Sequence, residues 1–404
     1  GRAALCLRTS HVPLGVCPTV RASAYTPLKI ALTTMGFTAC LAPKLANSMV
    51  GARSSKHRAQ DLDAPGKALT FRKHGFRSFN SLRLKPRRKC AASFRSSVTC
   101  LASKKAVEYN SDYGIEGSVA VVEGEGGLTK VRLTHYNGSA ADVYLFGACV
   151  TSWTQPHGSE VLYLRPDVKF DGVKPISGGI PHCFPQFGPS AKMQQHGFAR
   201  NCTWEVVSSS ADVMPDYPEP AVLLQLTDNE YTRSMWDFSF KAIYEVTLKS
   251  DRLRVELRVQ NTDNKPFDFT TALHSYIGVA DASCPSVCVK GLKGKTYLDK
   301  VPDANNPVPT QENNEAVTFG NGLVDSVYLD TDPETILEVG TGCSVAVENT
   351  RGFSDTVVWN PHETLSPSCW KDFVCVESAQ VSKPVELNPG EEWWGEVNVS
   401  VFDH

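Results

Sequence analysis

Acidic residues are almost missing from the first quarter of this 404-residue chain. Residues 1–105 hold 20 of the 41 Lys and Arg residues but only 2 of the 43 Asp and Glu residues. The first segment therefore carries a net charge of about +18, and the rest of the chain carries about −20. Because one compact domain seldom divides its charge so sharply along the sequence, this division predicts two unlike parts.

The depletion of acidic residues indicates what the first part does. A long segment that is rich in Arg and Ser and poor in acid is typical of an organellar transit peptide. We therefore expect residues 1–108 to be a largely disordered targeting segment for a chloroplast or other plastid. The alternative is a basic arm that binds nucleic acid, which the cluster LRLKPRRK at 82–89 favours. Without a targeting role for this segment, the protein would be cytoplasmic.

Long apolar runs and regular cysteine spacings are also missing. No run reaches the roughly 18 residues of a membrane span, so an integral membrane protein is not expected. The acidic remainder argues against a nucleic-acid partner, because a polyanion requires a basic surface. The 13 cysteines form no even framework of disulfides. Cys284 and Cys288 lack the second pair that would complete a zinc site, and buried free thiols are the simpler interpretation.

Strand patterns fill the chain from Ser118 onward. Segments 222–229, 241–249 and 252–262 alternate apolar and polar residues, and Asn137-Gly138 has the composition of a hairpin turn. The clearest alternation places four apolar residues on one strand face, namely Leu253, Val255, Leu257 and Val259. Since no segment here has a sustained helical period, we expect an all-β sandwich or barrel that occupies residues 109–404 as one domain.

The segment 175–201 does not have a strand pattern. It contains four Gly and four Pro residues, which predicts an irregular loop of defined shape. The pair Gly178-Gly179 is expected to let the backbone approach a ligand closely. The loop ends with Gln195, His196 and Arg200, whose amide, imidazole and guanidinium groups suit a polyhydroxy or anionic ligand. A structural loop with surface charges explains the composition equally well. A second polar loop is expected at 300–316.

Two further residues are candidates for chemistry. His274 ends an apolar strand run, where a histidine is usually a satisfied core residue. Glu377 lies in FVCVESA, and alternation places it on the same strand face as Phe373 and Cys375. A carboxylate on an apolar face is costly unless it is paired, which makes Glu377 a functional candidate. The alternative is a glutamate at a strand end in solvent.

The order of several motifs resembles a known family. GGIPHCFPQFG, QQHGFARN, TALHSYIGV, GLKGKTYLDK, LVDSVYLD, VVWNP and FVCVESA follow one another as in the aldose 1-epimerase (mutarotase) superfamily, and most closely as in its glucose-6-phosphate 1-epimerase branch. The resemblance extends over about residues 115–404. It implies a galactose-mutarotase-like β-supersandwich and an isomerase that uses no cofactor or metal.

The resemblance also implies roles for individual residues. His274 corresponds to the general acid of the family and Glu377 to its general base. Gln195, His196, Arg200 and Asp325 correspond to residues that contact the sugar or its phosphate. Ser177 stands where the family has an arginine that helps to bind phosphate, and it offers one neutral hydrogen bond in place of a charged, bidentate one. Lys174 or Arg165 could supply the missing charge.

The function that follows is the interconversion of α and β anomers of an aldohexose 6-phosphate by acid–base ring opening and reclosure. The expected partner is a small sugar phosphate. Two alternatives stay open: an aldose 1-epimerase that acts on unphosphorylated hexoses, which Ser177 favours, and a non-catalytic carbohydrate-binding protein of the same fold.

Overall fold

Antiparallel β-strands build residues 104–211 and 219–404, which are the residues that the computed structural model describes. Most of the expected targeting segment lies outside these residues, and nothing in the structure tests its role. Its last positions, 104–108, belong to a helix that covers 104–113 (α1). None of the described helices is long and apolar enough to cross a membrane.

The described strands form three sheets. The first has four strands in sequence order, β1 Val119–Glu123, β2 Thr129–Thr134, β3 Ala140–Tyr144 and β4 Cys149–Thr154. The second has eight: β5 His182–Cys183, β10 Phe267–Leu273, β11 Tyr276–Gly278, β13 Thr296–Asp299, β14 Val308–Gln311, β16 Val324–Tyr328, β19 Asp355–Asn360 and β20 Phe373–Leu387. The third has nine: β6 Glu205–Ser210, β7 Ala221–Thr227, β8 Phe240–Leu248, β9 Arg252–Asn261, β12 Val287–Lys290, β15 Ala316–Thr318, β17 Glu334–Val339, β18 Cys343–Arg351 and β21 Glu392–Asp403.

Helices are few and short in the described part of the chain. Besides α1 they comprise α2 Glu230–Arg233, α3 His362–Leu365 and two 3₁₀ turns at Glu125–Gly127 and Ala199–Asn201. The all-β expectation is therefore confirmed. The order of the second sheet is β14-β13-β16-β19-β20-β10-β5, with β11 also paired to β20, so strands that are distant in sequence become neighbours.

Strand alternation reproduces the expected faces. In β9 the side chains of Leu253, Val255, Leu257 and Val259 are at most 1% exposed and belong to the main core. The opposite face carries the three arginines of this strand, as expected, and also Glu256, which is only 1% exposed. Alternation predicts the face of Glu256 but not its burial, because the covering groups come from neighbouring side chains.

Strand β20 separates two apolar layers. Its residues Val374 and Val376 join the main core, which also includes residues of the first and third sheets. The alternating residues Phe373 and Cys375 pack in a second cluster with Tyr276 on the other face of the sheet. Glu377 follows on that second face, in agreement with the sequence pattern, and the candidate site lies there.

Two loop expectations need correction. Segment 175–201 is irregular, as predicted, apart from β5 and one 3₁₀ turn. However, Gly178 and Gly179 are required by contacts within the chain, because a Cβ on Gly179 would lie 2.1 Å from the Val150 carbonyl oxygen and one on Gly178 would lie 2.4 Å from that of Tyr163. Segment 300–316 is not wholly a loop, since it contains β14 and the first residue of β15.

Candidate active site

A cavity of about 280 Å³ opens on the second face of β20. Strands β16, β19 and β20 form its floor, and the loop before Arg200 forms one wall. Its lining residues are Phe187, Gln195, His196, Arg200, His274, Tyr276, Lys300, Asp325, Val357, Trp359, Leu365 and Glu377. The cavity therefore brings together six of the seven site residues that the sequence suggests.

Strand pairing explains how His274 and Glu377 meet. Strand β10 runs antiparallel to β20, and its last residue, Leu273, lies opposite Ser378. His274 follows directly and therefore lies beside Glu377. His274 is held there by its backbone N–H, which donates to the Pro181 carbonyl at 3.0 Å. Its ring stacks on Tyr276, with centroids 4.7 Å apart and an interplanar angle of 11°. The imidazole is thus fixed in position and not free in solvent.

The two groups lie at ion-pair distance. His274 Nδ1 is 3.2 Å from Glu377 Oε1, and the Glu377 side chain is only 1% exposed. Glu377 Oε2 finds no hydrogen-bond partner among the described residues. A buried carboxylate oxygen without a partner is costly in a protein interior. Since the oxygen belongs to a cavity-lining side chain, a polar ligand can satisfy it.

Burial shifts the pKa values of the pair in opposite directions and reverses their order. It raises the pKa of Glu377 well above its usual value, Asp325 raises it further, and Lys300 and Arg200 oppose the rise. Burial also lowers the pKa of His274 to about 3, and the same two cations add to this effect. The carboxylate becomes a weaker acid and the imidazolium a stronger one. Both shifts favour the uncharged forms, so the proton of the pair is held by Glu377 in preference to His274.

Two cations define the polar part of the cavity. Lys300 Nζ lies 3.4 Å from Asp325 Oδ1 and 5.0 Å from the centroid of the Phe187 ring. Arg200 Nη2 donates to the Gln195 backbone carbonyl at 2.7 Å, while its Nε has no partner among the described residues. Both side chains keep donors available for an anionic or hydroxylated ligand. Across the described residues, no cluster of three or more His, Cys, Asp or Glu is arranged to hold a metal ion.

Comparisons with known proteins identify the family of the chain. The family model of aldose 1-epimerase matches residues 129–400. The chain belongs to the aldose 1-epimerase family. It is consequently an isomerase that interconverts the anomers of an aldose.

Individual relatives support the same assignment. A protein of Cenchrus ciliaris named "Putative glucose-6-phosphate 1-epimerase" is 35% identical over 69% of this chain and 87% of its own length. The crystal structure of a "putative mutarotase" from Salmonella typhimurium superposes with a TM-score of 0.63 at 26% identity, covering 72% of this epimerase and 96% of that chain. A galactose mutarotase-like protein from Clostridium acetobutylicum shares the fold, with a TM-score of 0.58 at 17% identity and coverage of 71% and 98%.

One suggested site residue of the epimerase lies outside the cavity. Ser177 is not among the lining residues, and its backbone carbonyl accepts a hydrogen bond from the Arg165 N–H at 3.1 Å. The two cations that could have replaced the family arginine are also elsewhere. The Arg165 guanidinium pairs with Asp167 at 2.9 Å, and Lys174 is exposed and does not line the cavity.

Sequence reasoning missed Lys300 and the aromatic walls of the site. Lys300 follows β13, whose sequence lies in the motif GLKGKTYLDK, and its backbone N–H donates to the Asp325 carbonyl at 2.9 Å. Trp359 is opposite Asp325 in the pairing of β16 with β19. The position of Lys300 beside a motif aspartate is a signal that could have identified it, whereas Trp359 depends on long-range strand pairing.

Proposed function

We propose that this epimerase interconverts the α and β anomers of an aldohexose 6-phosphate, with Glu377 and His274 as the acid–base pair. The observation that carries the proposal is the contact of 3.2 Å between His274 Nδ1 and Glu377 Oε1 in a cavity that also contains Arg200 and Lys300. The residue roles follow from the family resemblance, and the geometry is consistent with them.

The proposed reaction moves one proton from one sugar oxygen to another. In the reactive form of the pair the proton has passed from Glu377 to His274. Glu377 then takes the proton of the C1 hydroxyl while His274 donates a proton to the ring oxygen. The C1–O5 bond breaks, the C1 oxygen becomes a carbonyl, and the open chain rotates about C1–C2. Reclosure from the other face reverses both transfers. One acid and one base of adjustable pKa are sufficient for this sequence.

Two features support a phosphorylated substrate. Arg200 and Lys300 both line the cavity, and their positive charge lowers the pKa values of His196 and His274, so their field extends through the site. The relatives named glucose-6-phosphate 1-epimerase include the protein of Cenchrus ciliaris and one of Escherichia coli that is 31% identical. Lys300 then supplies the second positive charge that Ser177 cannot provide.

Kinetics with two substrates tests the proposal. Anomer exchange of glucose-6-phosphate and of glucose would be measured for the parent protein and for Arg200→Ala and Lys300→Ala. Each substitution should raise KM for the phosphate ester by roughly 10–100-fold, which corresponds to one charge-assisted hydrogen bond, with much less effect on glucose. Lys174→Ala is the matched control and should change neither constant.

The same experiment separates the alternatives. A parent protein that turns over glucose better than glucose-6-phosphate would contradict the phosphate assignment. A protein that binds sugars but exchanges neither substrate would contradict the enzymatic proposal altogether.

For the N-terminal segment, we propose a role in plastid targeting. The depletion of acid, with only Asp61 and Asp63 before Glu108, supports it. A fluorescent protein fused behind residues 1–103 should accumulate in plastids of plant cells. A cytoplasmic or nuclear signal would contradict the targeting role, and a nuclear signal would favour the basic arm.

A further inference from the structure

The ring of His196 has partners that determine which nitrogen carries the proton. The Gly188 backbone nitrogen lies 3.1 Å from His196 Nδ1, and the Cys183 sulfur lies 3.2 Å from the same atom. A backbone N–H can only donate a hydrogen bond. His196 Nδ1 must therefore be the acceptor, and the proton of the neutral ring must reside on Nε2.

Cys183 acts as a second donor to the same nitrogen. Its side chain is fully buried, and burial raises the pKa of the thiol, with the Glu377 carboxylate adding to the rise and Arg200 and Lys300 opposing it. The sulfur thus keeps its hydrogen, and the thiol can only reinforce an unprotonated Nδ1. A thiol is a weak donor, so the backbone N–H of Gly188 contributes the larger share.

The surroundings of His196 also keep the ring neutral. Burial lowers the pKa of His196 to about 2, and His274, Arg200 and Lys300 lower it further. Among the described residues, these groups and Cys183 are the titratable or charged groups that act on the ring or contact it. The centroids of the His196 and His274 rings are 5.6 Å apart, so the two imidazoles lie next to each other in the cavity wall.

The backbone fixes the ring where it is needed. His196 has a φ of +65°, an unusual conformation for a residue other than glycine. Its N–H donates to the Gly188 carbonyl at 2.8 Å, and its carbonyl accepts from the Phe184 N–H at 3.1 Å. A conformation of this kind persists only when the surrounding structure holds it, and such strain is concentrated at functional sites.

The neighbouring amide shows what the Nε2 proton faces. Gln195 Nε2 lies 3.2 Å from His196 Nε2. With a proton on His196 Nε2, this contact is favourable only when the amide is turned so that Gln195 Oε1 occupies that position. In the free site the amide oxygen then accepts this hydrogen bond, and a bound sugar oxygen can replace it.

We propose that the Gly188 N–H and the Cys183 thiol are positioning groups that hold His196 as a neutral ring protonated on Nε2. The Nε2–H is then a fixed donor for a sugar oxygen in the cavity. This inference rests on the proposed anomer exchange and assigns His196 neither an acid nor a base role. His196 and His274 thus have different proposed roles, a hydrogen-bond donor and a general acid.

Nuclear magnetic resonance of the ring nitrogens tests the tautomer without reference to activity. The protein labelled with ¹⁵N at histidine would be compared with His196→Asn to assign the signals of His196. The expected result is an unprotonated Nδ1 and a protonated Nε2 that do not change between about pH 6 and pH 8. A protonated Nδ1, or a doubly protonated ring in this range, would overturn the proposal even if the anomer exchange is confirmed.

Two substitutions of His196 test the donor role. The amide nitrogen of glutamine reaches the position of Nε2, whereas asparagine ends near Nδ1 and also tolerates the positive φ. His196→Asn should lower kcat by about 10–100-fold and change KM much less. This pattern is expected when the donor contacts an oxygen that gains charge in the transition state. His196→Gln should recover most of that loss. His157→Asn, in an exposed loop outside the cavity, is the matched control and should behave as the parent.

The opposite ranking of these variants would contradict the inference. If Asn and Gln at position 196 lower kcat equally, a specific donor at Nε2 is not needed.

For the positioning groups, Cys183→Ala should shift the ¹⁵N signal of Nδ1 and lower kcat by less than about tenfold, since Gly188 still donates. Cys183→Ser should restore part of both. An unchanged Nδ1 signal in Cys183→Ala would remove Cys183 from the account.

Discussion

Two glutamates on the two large sheets are equally buried but differently paired. Glu256 in β9 and Glu377 in β20 are each 1% exposed. Glu256 contacts Arg254 at 2.5 Å on one oxygen and Arg258 on the other. Glu377 has a single ionisable partner at ion-pair distance, His274, and one oxygen that no described residue satisfies.

The pairing determines what each carboxylate can do. Burial raises the pKa of Glu256, and the contacts with Arg258 and Arg254 oppose the rise. Burial raises the pKa of Glu377 well above its usual value, and its cations, Lys300 and Arg200, only partly oppose this. At the same side-chain exposure, the carboxylate that arginines neutralise is held in an ion cluster, and the one that they do not neutralise is the candidate for the proposed chemistry.

The largest change is expected from His274→Asn. Asparagine can fill part of the space of the imidazole but cannot donate a proton at neutral pH. The rate of anomer exchange should fall by about 10²–10⁴-fold, which is the usual contribution of a general acid. Measurement of kcat together with the circular dichroism spectrum would show whether activity is lost while the fold is kept. A rate within a few-fold of the parent would remove His274 from the acid role.

Glu256→Gln should produce the opposite pattern. The two arginines lose a charged acceptor, although Arg254 keeps its contact with Glu396 at 2.7 Å. We expect the free energy of unfolding to fall by about 1–3 kcal/mol and kcat to stay unchanged. Urea denaturation and anomer exchange on the same preparation provide the two values. If Glu256→Gln loses turnover while its stability is unchanged, the proposed difference between Glu256 and Glu377 is contradicted.

The stability of the fold in acid should depend on buried histidines, both in the core and at the cavity. Burial lowers the pKa of His182 to about 3, and its ring stacks on Trp204 in the core. The unfolded chain binds this proton below about pH 6.5 and the folded chain does not, so stability is lost as pH falls from 6.5 towards 3. Each unit of pH in that range costs about 1.4 kcal/mol for each such histidine.

The variant His182→Phe isolates this contribution. Its unfolding free energy should fall less than that of the parent between about pH 6.5 and pH 5, with a difference of about 2 kcal/mol. Denaturation curves at both pH values measure it, and the comparison within each protein removes any loss that is independent of pH. Equal slopes for the two proteins would show that the pKa of His182 is the same in the folded and the unfolded chain, and would contradict this prediction.

The smallest effect is expected from removal of residues 1–103. A chain that begins at Lys104 should keep the kcat of the full chain, whereas one that begins at Gly114 also lacks α1. That helix is tied to the first sheet, because Asn110 Oδ1 accepts a hydrogen bond from the Val121 N–H at 2.8 Å and Tyr113 packs against the core. We expect the shorter chain to be less stable by about 1–3 kcal/mol. If the chain that begins at Lys104 does not fold, the N-terminal segment belongs to the domain.

The strand faces could be predicted because the relevant period is local. In β9 the four apolar residues alternate with charged ones, and this pattern alone places Leu253 and Val255 in the core. The same argument placed Glu377 on the face of Cys375. Alternation assigns a residue to a face but cannot say what covers that face, which is why the burial of Glu256 was not foreseen.

The lining of the candidate site could be predicted where its residues lie in motifs. Arg200, His274 and Glu377 lie in motifs, and all three line the cavity. Ser177 was chosen for its place in a motif, yet its backbone bonds to the 165 segment outside the cavity. Lys300 also ends a motif, GLKGKTYLDK, but its approach to Asp325 depends on the pairing of β13 with β16, which that motif does not specify.

We propose that Glu377 takes part in the chemistry and contributes little to the stability of the fold. Anomer exchange of glucose-6-phosphate by Glu377→Gln, measured by magnetisation transfer between the two anomers, tests it most directly. Glutamine keeps the shape of the side chain and removes the base, so the rate should fall by at least about 10²-fold while the affinity for the sugar phosphate stays within a few-fold. Glu256→Gln in the same assay should match the parent. A Glu377→Gln variant with nearly normal turnover would contradict the account.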